Sequence, residues 1–381
     1  MKTRIGIIGG GASGLLLSIL LKKKLPNIEV MVFEALDKVG KKLLQTGNGK
    51  GNISNINIES ICYNHNIDLT LSAKDLRVLF QDLGLITKVD NEGRVYPYSE
   101  RASSILDIFL LNIKKYNVNI ITNCPIDKVL YEDKYILYKN KDIIYSCDYL
   151  VLATGGKASI NFFNVGYNIA KDFGHSITNL CPSLVALKTK ENTKSLAGIR
   201  VKCKASVYND DTLKESTIGE VLFKEDGLSG IATFILSRHY IDKHTRMVLD
   251  LCPEKSQKEL DEALLNTNIQ ESLIGYFPKM INYDLINRLN NSNKSIGYII
   301  KNYDFTIIDT YGFKNAQVTK GGVTLAEVNL HTNESLIQKN MYILGEVLDI
   351  DGTCGGYNLH YAFTSAYNCY LDLCNKIRGV K

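Results

Sequence analysis

The sequence of 381 residues predicts an α/β protein in which one domain is built from both ends of the chain. Arg4–Ile8, Ala12–Lys24 and Glu29–Phe33 have the patterns of a strand, a helix and a second strand, which together form a βαβ unit. The same pattern returns late, with a strand at Met341–Leu344 and a helix over roughly Gly356–Lys376. Between them lie a β-patterned stretch at about 184–250 and a polar, helix-patterned stretch at 254–303. An insertion inside an α/β domain explains this order best.

Composition excludes several classes of function. The net charge of +5 is small, and no arginine-rich arm or long basic block is present, so nucleic acid is not an expected partner. The nine cysteines are odd in number, with no CxxC and no zinc-ligand spacing, so we expect reduced thiols, a cytoplasmic location and no metal. The uncharged stretch 5–21 carries Gly9, Gly10, Gly11 and Gly14 and no cleavage site, which argues against a signal peptide, and no segment has the length of a membrane span.

A glycine motif lies between the first strand and the first helix. Gly9-Gly10-Gly11-Ala12-Ser13-Gly14 is a GxGxxG run, in which Gly9 allows a tight turn, Gly11 lets a pyrophosphate approach and Gly14 lets the helix pack on the strand. The helix N-terminus would then face the phosphates. Glu34 ends the second strand, twenty residues after Gly14, where an acid accepts hydrogen bonds from ribose hydroxyls. The pattern predicts a Rossmann-type dinucleotide site, but FAD and NAD both fit it.

Three later segments favour FAD. A buried strand ends in Ala153-Thr154-Gly155, small residues that can pass close to a dinucleotide. The late strand is followed by Gly345-Glu346-Val347-Leu348-Asp349, where an acid could bind the ribityl chain. Gly355-Gly356-Tyr357-Asn358 opens the last helix, whose positive end would stabilise negative charge on a reduced flavin ring.

At these residues the chain resembles a family of bacterial flavoproteins that contains aminoacetone oxidase and the YhiN/BaiN proteins, often called NAD(P)/FAD-dependent oxidoreductases. The similar stretches are Lys41–Asn55, Tyr96–Leu106, Ala153–His175, Gly219–Ser237 and Ala316–Phe363. They span nearly the full length apart from the polar helical part.

The resemblance implies a flavin domain from both termini, an inserted β-barrel-like domain and a small helical domain. The corresponding boundaries are 1–184 and 305–381 for the flavin domain, 185–252 for the β-rich domain and 253–304 for the helical one. It also implies that the loop Lys41–Asn52 runs along the flavin and that the backbone of Val129 lies near the adenine.

The motifs and the resemblance together predict the cofactor-binding residues. They are Gly9, Gly11, Ala12, Ser13, Gly14, Glu34, Ala35, Lys41, Lys42, Leu43, Asn48, Gly49, Asn52, Val129, Ala153, Thr154, Gly155, Gly345, Glu346, Asp351, Gly356, Tyr357 and Asn358.

Three positions depart from the family pattern. The family usually has Arg-Cys where this chain has Lys50-Gly51, Pro where it has Ile231, and commonly Gln where it has His360. The first change removes a planar donor and a thiol beside the expected ring, so the family's substrate chemistry is not carried over.

The function expected is an FAD-dependent oxidoreductase that transfers hydride between a small organic substrate and flavin N5. The resemblance allows either amine oxidation or reduction of an activated double bond, and leaves open whether NADH or NADPH is an electron donor. His360 and Tyr357 are the candidate catalytic residues, although a hydrogen-bonded helix histidine and a packing tyrosine are the alternatives. Two other hypotheses are a flavoprotein that binds RNA or a protein partner with incidental redox activity, and a plain NAD-linked dehydrogenase. The sequence does not indicate the oligomeric state.

Overall fold

A computed structural model describes residues 2–158, 165–241, 244–265 and 268–379 of the chain. Positions 159–164, which belong to the family-like stretch Ala153–His175, lie outside the described residues. Two compact units are present, one formed by Met1–Cys181 with Val318–Lys381 and the other by Pro182–Gln317. Across the described ranges, no helix is both long and apolar enough to cross a bilayer.

The helices are α1 (Ala12–Lys24), α2 (Lys41–Leu44), α3 (Ala73–Asp82), α4 (Ala102–Lys115), α5 (Val165–Asp172), α6 (Ile231–Ser237), α7 (Gln257–Leu264), α8 (Ile269–Leu273), α9 (Lys279–Asn290), α10 (Ile296–Lys301) and α11 (Tyr357–Arg378). The strands up to the insertion are β1 (Arg4–Ile8), β2 (Glu29–Phe33), β3 (Ser54–Asn55), β4 (Thr87–Val89), β5 (Arg94–Pro97), β6 (Asn119–Ile121), β7 (Lys128–Glu132), β8 (Lys134–Lys139), β9 (Asp142–Cys147), β10 (Tyr149–Leu152) and β11 (Cys181–Ser183). The remaining strands are β12 (Leu187–Thr189), β13 (Arg200–Asn209), β14 (Thr212–Lys224), β15 (Gly227–Ser229), β16 (Thr245–Asp250), β17 (Tyr303–Thr310), β18 (Val318–Lys320), β19 (Val328–Asn329), β20 (Glu334–Ser335) and β21 (Met341–Ile343).

The predicted βαβ unit forms with the predicted bounds. Helix α1 is apolar all round, and every residue from Ser13 to Leu21 is buried. Such a helix needs cover on all sides, which the central sheet and helices α4 and α11 supply. Three lysines, Lys22 to Lys24, fall in its last turn, where positive charge complements the helix dipole.

A seven-stranded sheet forms the centre of the first unit, in the order β19-β20-β21-β10-β1-β2-β6. The strands from β21 to β6 are parallel, while β19 and β20 are antiparallel. Alternate residues of β10 point to opposite faces: Val151 packs in the cluster beside α1 and α11, whereas Leu150 and Leu152 pack on the side of the β7-β8-β9 sheet. The carboxyl ends of β1, β2, β10 and β21 therefore meet at one edge, where ligands bind in open α/β sheets.

Helices α3 and α4 begin in different ways. Ser72 caps α3 through a capping box with Asp75. Helix α4 begins at Ala102 without a side-chain cap. Just before it, the Ser99 hydroxyl bonds the Ser104 hydroxyl at 2.7 Å.

The second unit is a closed barrel in the strand order β12-β15-β14-β13-β16-β17, joined by helices α6 to α10. Its bounds differ from the predicted ones in two ways. Residues 305–317 belong to this unit rather than to the flavin domain, because β17 pairs with both β16 and β12 and so closes the barrel. The helices at 257–301 form no separate compact unit, because Leu260, Leu273 and Leu285 share one hydrophobic cluster with the barrel strands.

Candidate functional site

The glycine motif has the geometry that each glycine was predicted to provide. Gly9 has φ +113°, and an added Cβ there would lie 2.3 Å from the Ala153 carbonyl oxygen. An added Cβ at Gly14 would lie 2.1 Å from the Gly9 carbonyl oxygen, so α1 starts as close to β1 as backbone allows. An added Cβ at Gly11 would meet nothing within 4 Å. Gly11 also begins α1 without a side-chain cap, which leaves the first turn facing open space.

Glu34 lies beside this loop, at the end of β2. Its carboxylate accepts the Gly10 N–H at 2.9 Å through Oε2 and the Leu36 N–H at 2.9 Å through Oε1. The acid therefore holds the glycine loop and the following chain, which includes Ala35, to the same strand end. Each carboxylate oxygen has a second lone pair with which to accept a ribose hydroxyl.

The loop from Lys41 onward adds a second strip of backbone. Gly47, Asn48, Gly49 and Gly51 all have positive φ, and an added Cβ at Gly49 would meet nothing within 4 Å. Leu43 is buried in the hydrophobic core, so only its backbone is available to a ligand.

The two lysines at the start of this loop differ in their partners. Lys41 pairs with Asp37 at the surface. Lys42 donates to Glu346 at 2.6 Å and so ties the loop to the end of β21. This second contact joins positions more than 300 residues apart and holds the loop to the end of the late strand. We call the surface formed by the glycine motif, the loop 41–52, the ends of β10 and β21 and the start of α11 the cradle.

The ends of β10 and β21 meet the start of α1. Ala153 N–H donates to the Ile8 carbonyl at 2.8 Å, and Gly155 is open, with nothing within 4 Å of an added Cβ. An added Cβ at Gly345 would lie 3.3 Å from the Ser13 Oγ, so the late strand ends beside the first helical turn. Glu346 also accepts the Thr319 N–H at 2.8 Å through Oε1.

The start of α11 completes the group of converging elements. Gly356 is left-handed, and an added Cβ would lie 2.5 Å from Asn52 Oδ1. Asn358 accepts the Gly352 N–H and donates to the Gly352 carbonyl, both at 2.8 Å, so its side chain braces the turn. Asp351 is fully buried in the same turn, and its N–H donates to Asn64 Oδ1 at 2.9 Å.

His360 and Tyr357, the two candidate catalytic residues, are both buried. His360 Nε2 donates to the Leu71 carbonyl at 2.9 Å, and its Nδ1 bonds the Ser54 hydroxyl at 2.8 Å. Since a carbonyl can only accept, the ring is the Nε2–H tautomer and its Nδ1 accepts from Ser54. Burial lowers the pKa of His360 to about 4, against the Leu71 hydrogen bond, so the ring is neutral at pH 7. This geometry favours the structural alternative for His360.

Tyr357 has the environment of a packing residue. Its ring meets Tyr63 edge-on with centroids 6.4 Å apart, and its backbone carbonyl accepts the Tyr63 hydroxyl at 2.9 Å. Burial, followed by the nearby Cys62, raises its pKa to about 12, so the phenol stays protonated at neutral pH.

Val129 lies in β7, in the three-stranded sheet on the other face of the central sheet, where it pairs with Leu137. Its side chain is 3% exposed and packs in the hydrophobic cluster on that face. Only its backbone could contact an adenine, which agrees with the implied backbone contact without testing it.

Buried polar atoms without a partner test whether a flavin dinucleotide fits this cradle. Asn52 Oδ1 and Thr154 Oγ1 are both buried and unbonded, and they lie at the α11 and β10 sides of the cradle. The Tyr167 hydroxyl is a third such atom. Burial, with the charges of Glu346 and Asp349, raises its pKa, so it keeps its proton as a donor. Leaving such groups unpaired costs about 1–3 kcal/mol each, so a ligand with many donors and acceptors fits here.

Sequence reasoning missed two residues of this region. Tyr167 carries no motif, and only its place in the family-like stretch pointed to it. Ser54 looked like a loop residue, yet it bonds His360 and its carbonyl lies against Gly356. The surroundings of both residues are set by segments distant in sequence, so no local motif marks them.

The fold and cradle define a Rossmann-type dinucleotide-binding protein of the flavoenzyme type. The chain matches the family described as HI0933-like protein Rossmann domain over residues 3–371, and it belongs to that family. It is 33% identical to a 3-dehydro-bile acid delta(4,6)-reductase of Clostridium scindens, with 96% of this chain and 97% of the relative covered. It is also 27% identical to a ribosomal RNA dihydrouridine synthase of Haemophilus influenzae, over 96% of this chain and 97% of the relative.

A solved structure has a similar fold. A variant of the FrdA subunit of quinol fumarate reductase from Escherichia coli aligns with a TM-score of 0.50 and 11% identity, over 100% of this chain and 71% of that one. At this identity the likeness concerns the fold alone. Family and fold together confirm the expected flavoenzyme class, and with it an oxidoreductase.

Proposed function

We propose that this protein is an FAD-dependent reductase of a carbon–carbon double bond conjugated to a carbonyl group. Two of its relatives support this choice over amine oxidation. One is named a bile acid delta(4,6)-reductase, and the other a dihydrouridine synthase, whose product name describes a saturated uracil ring. In both substrates the double bond is polarised by a carbonyl, so the shared reaction is addition of hydride and a proton across it.

One observation carries the assignment of the cofactor. Four strand ends and two helix starts converge at one sheet edge, with open backbone at Gly11, Gly49 and Gly155 and unbonded oxygens at Asn52 and Thr154. When bound there, FAD would supply the hydride chemistry through its N5 atom. The chain's own residues would bind and orient this cofactor: the α1 N-terminus would face the pyrophosphate, and Glu34 would accept a hydrogen bond from the ribose.

The start of α11 has an electrostatic role in this proposal. Gly356 begins the helix in a left-handed conformation with no side-chain cap, so the first turn presents N–H groups rather than a side chain. A positive helix end stabilises an anionic ring placed against it by about 0.3–1 kcal/mol at an exposed site, and more where it is buried. Asn52 Oδ1 is unbonded and lies next to Gly356, and in this proposal it would accept a hydrogen bond from a ring N–H.

The two relatives give two classes of substrate. The first is a small steroid-like dienone acid, and the second is a uracil base within RNA. The modest net charge of +5 favours the small molecule, because RNA binding relies on a concentrated basic face. We therefore propose a small conjugated carbonyl compound as substrate and NADH or NADPH as electron donor.

The test begins with the visible spectrum of the purified protein, which should be that of a flavin. NADH and NADPH are then added without oxygen, and reduction of the flavin band is timed for each. The reduced protein is next mixed anaerobically with a 3-oxo-4,6-diene steroid acid, with uridine-containing RNA, or with buffer. Rapid return of the flavin band with the steroid alone supports the proposal, and return with RNA alone moves it to the second substrate class.

Two controls separate binding from chemistry. A Gly11→Ala protein should retain much less flavin and show correspondingly weaker flavin absorbance and weaker activity in both reactions, since its fold is kept while the methyl group crowds the pyrophosphate. Reduction of the flavin by a small amine, with peroxide formed on admission of oxygen and no reaction with either acceptor, would overturn the proposal in favour of an oxidase. A colourless protein that does not take up FAD would overturn the assignment of the cofactor.

A further inference from the structure

Two hollows adjoin each other on the flanks of α3, and no predicted cofactor-binding residue lines either of them. One has a volume of about 280 Å³ and includes Val78, Gln81 and Ile86 in its wall. The other has a volume of about 350 Å³ and includes Ile56 and Leu69. Lys74 and Arg77 line both hollows, and we call the pair the α3 groove.

The walls of the α3 groove are aliphatic and open to solvent. Ile56 is 53% exposed, Val78 58% and Ile86 56%. Single exposed aliphatic side chains are common on proteins, but several around one concave surface indicate a surface that binds something apolar.

The two cations of the α3 groove are not neutralised by their neighbours. Across the described parts of the chain, no carboxylate forms an ion pair with Lys74 or Arg77, and Arg77 uses its Nε to donate to Thr87 Oγ1 at 3.1 Å. The acids of α3 are engaged elsewhere. Asp75 accepts from Ser72 in the capping box, and Asp82 pairs with Lys23. The guanidinium keeps its terminal N–H groups for an anion.

We propose that the α3 groove binds a small amphipathic organic anion, a carboxylate or sulfonate on an aliphatic body, with Lys74 and Arg77 holding the anionic group. The apolar walls cover the body on either side of the cations. Each hollow is near the lower end of the volumes of small-molecule sites, roughly 300–1,000 Å³. Concavity and two unpaired cations fit such a ligand better than the flat apolar face of a protein partner.

The α3 groove is separate from the flavin cradle but adjoins it. Leu71 lines the groove, and its carbonyl accepts the hydrogen bond from His360, whose other nitrogen bonds Ser54. None of the predicted cofactor-binding residues lines either hollow. The inference therefore does not depend on the proposed function, and each can fail alone.

The test is calorimetric titration of the full-length protein as purified with sodium dodecanoate below its micelle concentration. Saturable binding is expected for the wild type, and dodecyltrimethylammonium should bind much more weakly. A Lys74→Gln/Arg77→Gln double variant should bind dodecanoate roughly tenfold more weakly, as expected for two exposed charge contacts. The matched control is Lys114→Gln/Lys171→Gln, which removes the same charge from exposed positions on α4 and α5 and should bind like the wild type.

A second variant guards against a folding defect. Val78→Glu removes none of the hydrogen bonds named here, places a negative charge on the groove wall and should also weaken dodecanoate binding. Absence of saturable binding to the wild type, equal affinity in the double variant and its control, or equal affinity for the cationic surfactant would each overturn the proposal. Sedimentation that finds a dimer dissociated by Lys74→Gln/Arg77→Gln, with no dodecanoate binding, would overturn it in favour of an interface between two copies.

Discussion

Gly11→Ala and Gly14→Ala change two glycines of the same helix start, and they should fail in different ways. At Gly14 the new methyl group would lie 2.1 Å from a backbone oxygen, more than an ångström short of ordinary contact. At Gly11 it would meet no protein atom within 4 Å, and the extended φ of −87° suits alanine. The first change therefore disturbs the fold, while the second occupies space that the pyrophosphate needs.

The magnitudes follow from these distances. Forcing backbone apart at Gly14 costs about 2–3 kcal/mol, and the better helix propensity of alanine offsets about 1 kcal/mol, so a net loss of about 1–2 kcal/mol in unfolding free energy is expected. Gly11→Ala should cost only about 0.5 kcal/mol, because it replaces glycine at an N-cap. A methyl group against the phosphates should cost about 2–3 kcal/mol of FAD binding, or roughly 30- to 150-fold in affinity.

Urea unfolding of the apoproteins, followed by circular dichroism, measures the unfolding free energy, and flavin fluorescence titration measures the affinity for FAD. The reasoning requires that Gly11→Ala lose far more FAD affinity than stability, with the stability loss larger for Gly14→Ala. A Gly11→Ala protein that binds FAD like the wild type would refute the assignment of the pyrophosphate site. A Gly14→Ala apoprotein as stable as the wild type would refute the steric account of the helix–strand contact.

Three further outcomes are expected. The pKa of His360 falls to about 4 on folding, from roughly 6.5 in the unfolded chain. Between these two pH values the unfolded chain binds a proton that the folded protein does not, so about 3 kcal/mol of stability is lost as the pH falls through them. His360→Gln, which keeps one donor and one acceptor, should lack this part of the pH dependence of urea unfolding. Lys42→Met removes the 2.6 Å tie to Glu346 and should weaken FAD affinity by about threefold, with a near-native melting curve, so an unchanged fluorescence titration would contradict the role of that tie. Asn358→Ala removes both hydrogen bonds to Gly352 and should lower the unfolding free energy by about 1–3 kcal/mol, whereas Asn358→Asp, which keeps the acceptor, should lose less; equal losses would argue against the two-bond brace.

The first βαβ unit could be predicted to the residue because its signals are local. Gly14 is required by the Gly9 carbonyl five residues away, and Gly9 by the chain that leaves the adjacent parallel strand at Ala153. The continuous burial of β1 from Ile5 to Ile8 and the all-round burial of α1 follow directly from their runs of apolar residues. Glu34 could be placed as well, because a strand of known start and length ends where its pattern ends.

Other features depended on contacts that no short window contains. The barrel closes through β17, which pairs with β12 and β16, and so moves residues 305–317 into the second unit. The polar helical stretch had no visible partner in sequence, yet its leucines complete the hydrophobic cluster of the barrel. Domain boundaries there are set by which surfaces are buried together, and composition does not record that.

The sequence alone therefore determined the class of fold, the glycine turn after β1 and the acid beside it, because each rests on short-range backbone geometry. Only the tertiary structure decided that Asn52 lies against Gly356 and that the late strand ends, at Gly345, beside Ser13. It also decided that His360 is a neutral core residue whose two ring nitrogens are both hydrogen-bonded. The physical reason is that a side chain's solvation and partners are set by distant segments folded onto it. Those segments also set its pKa and its availability for chemistry.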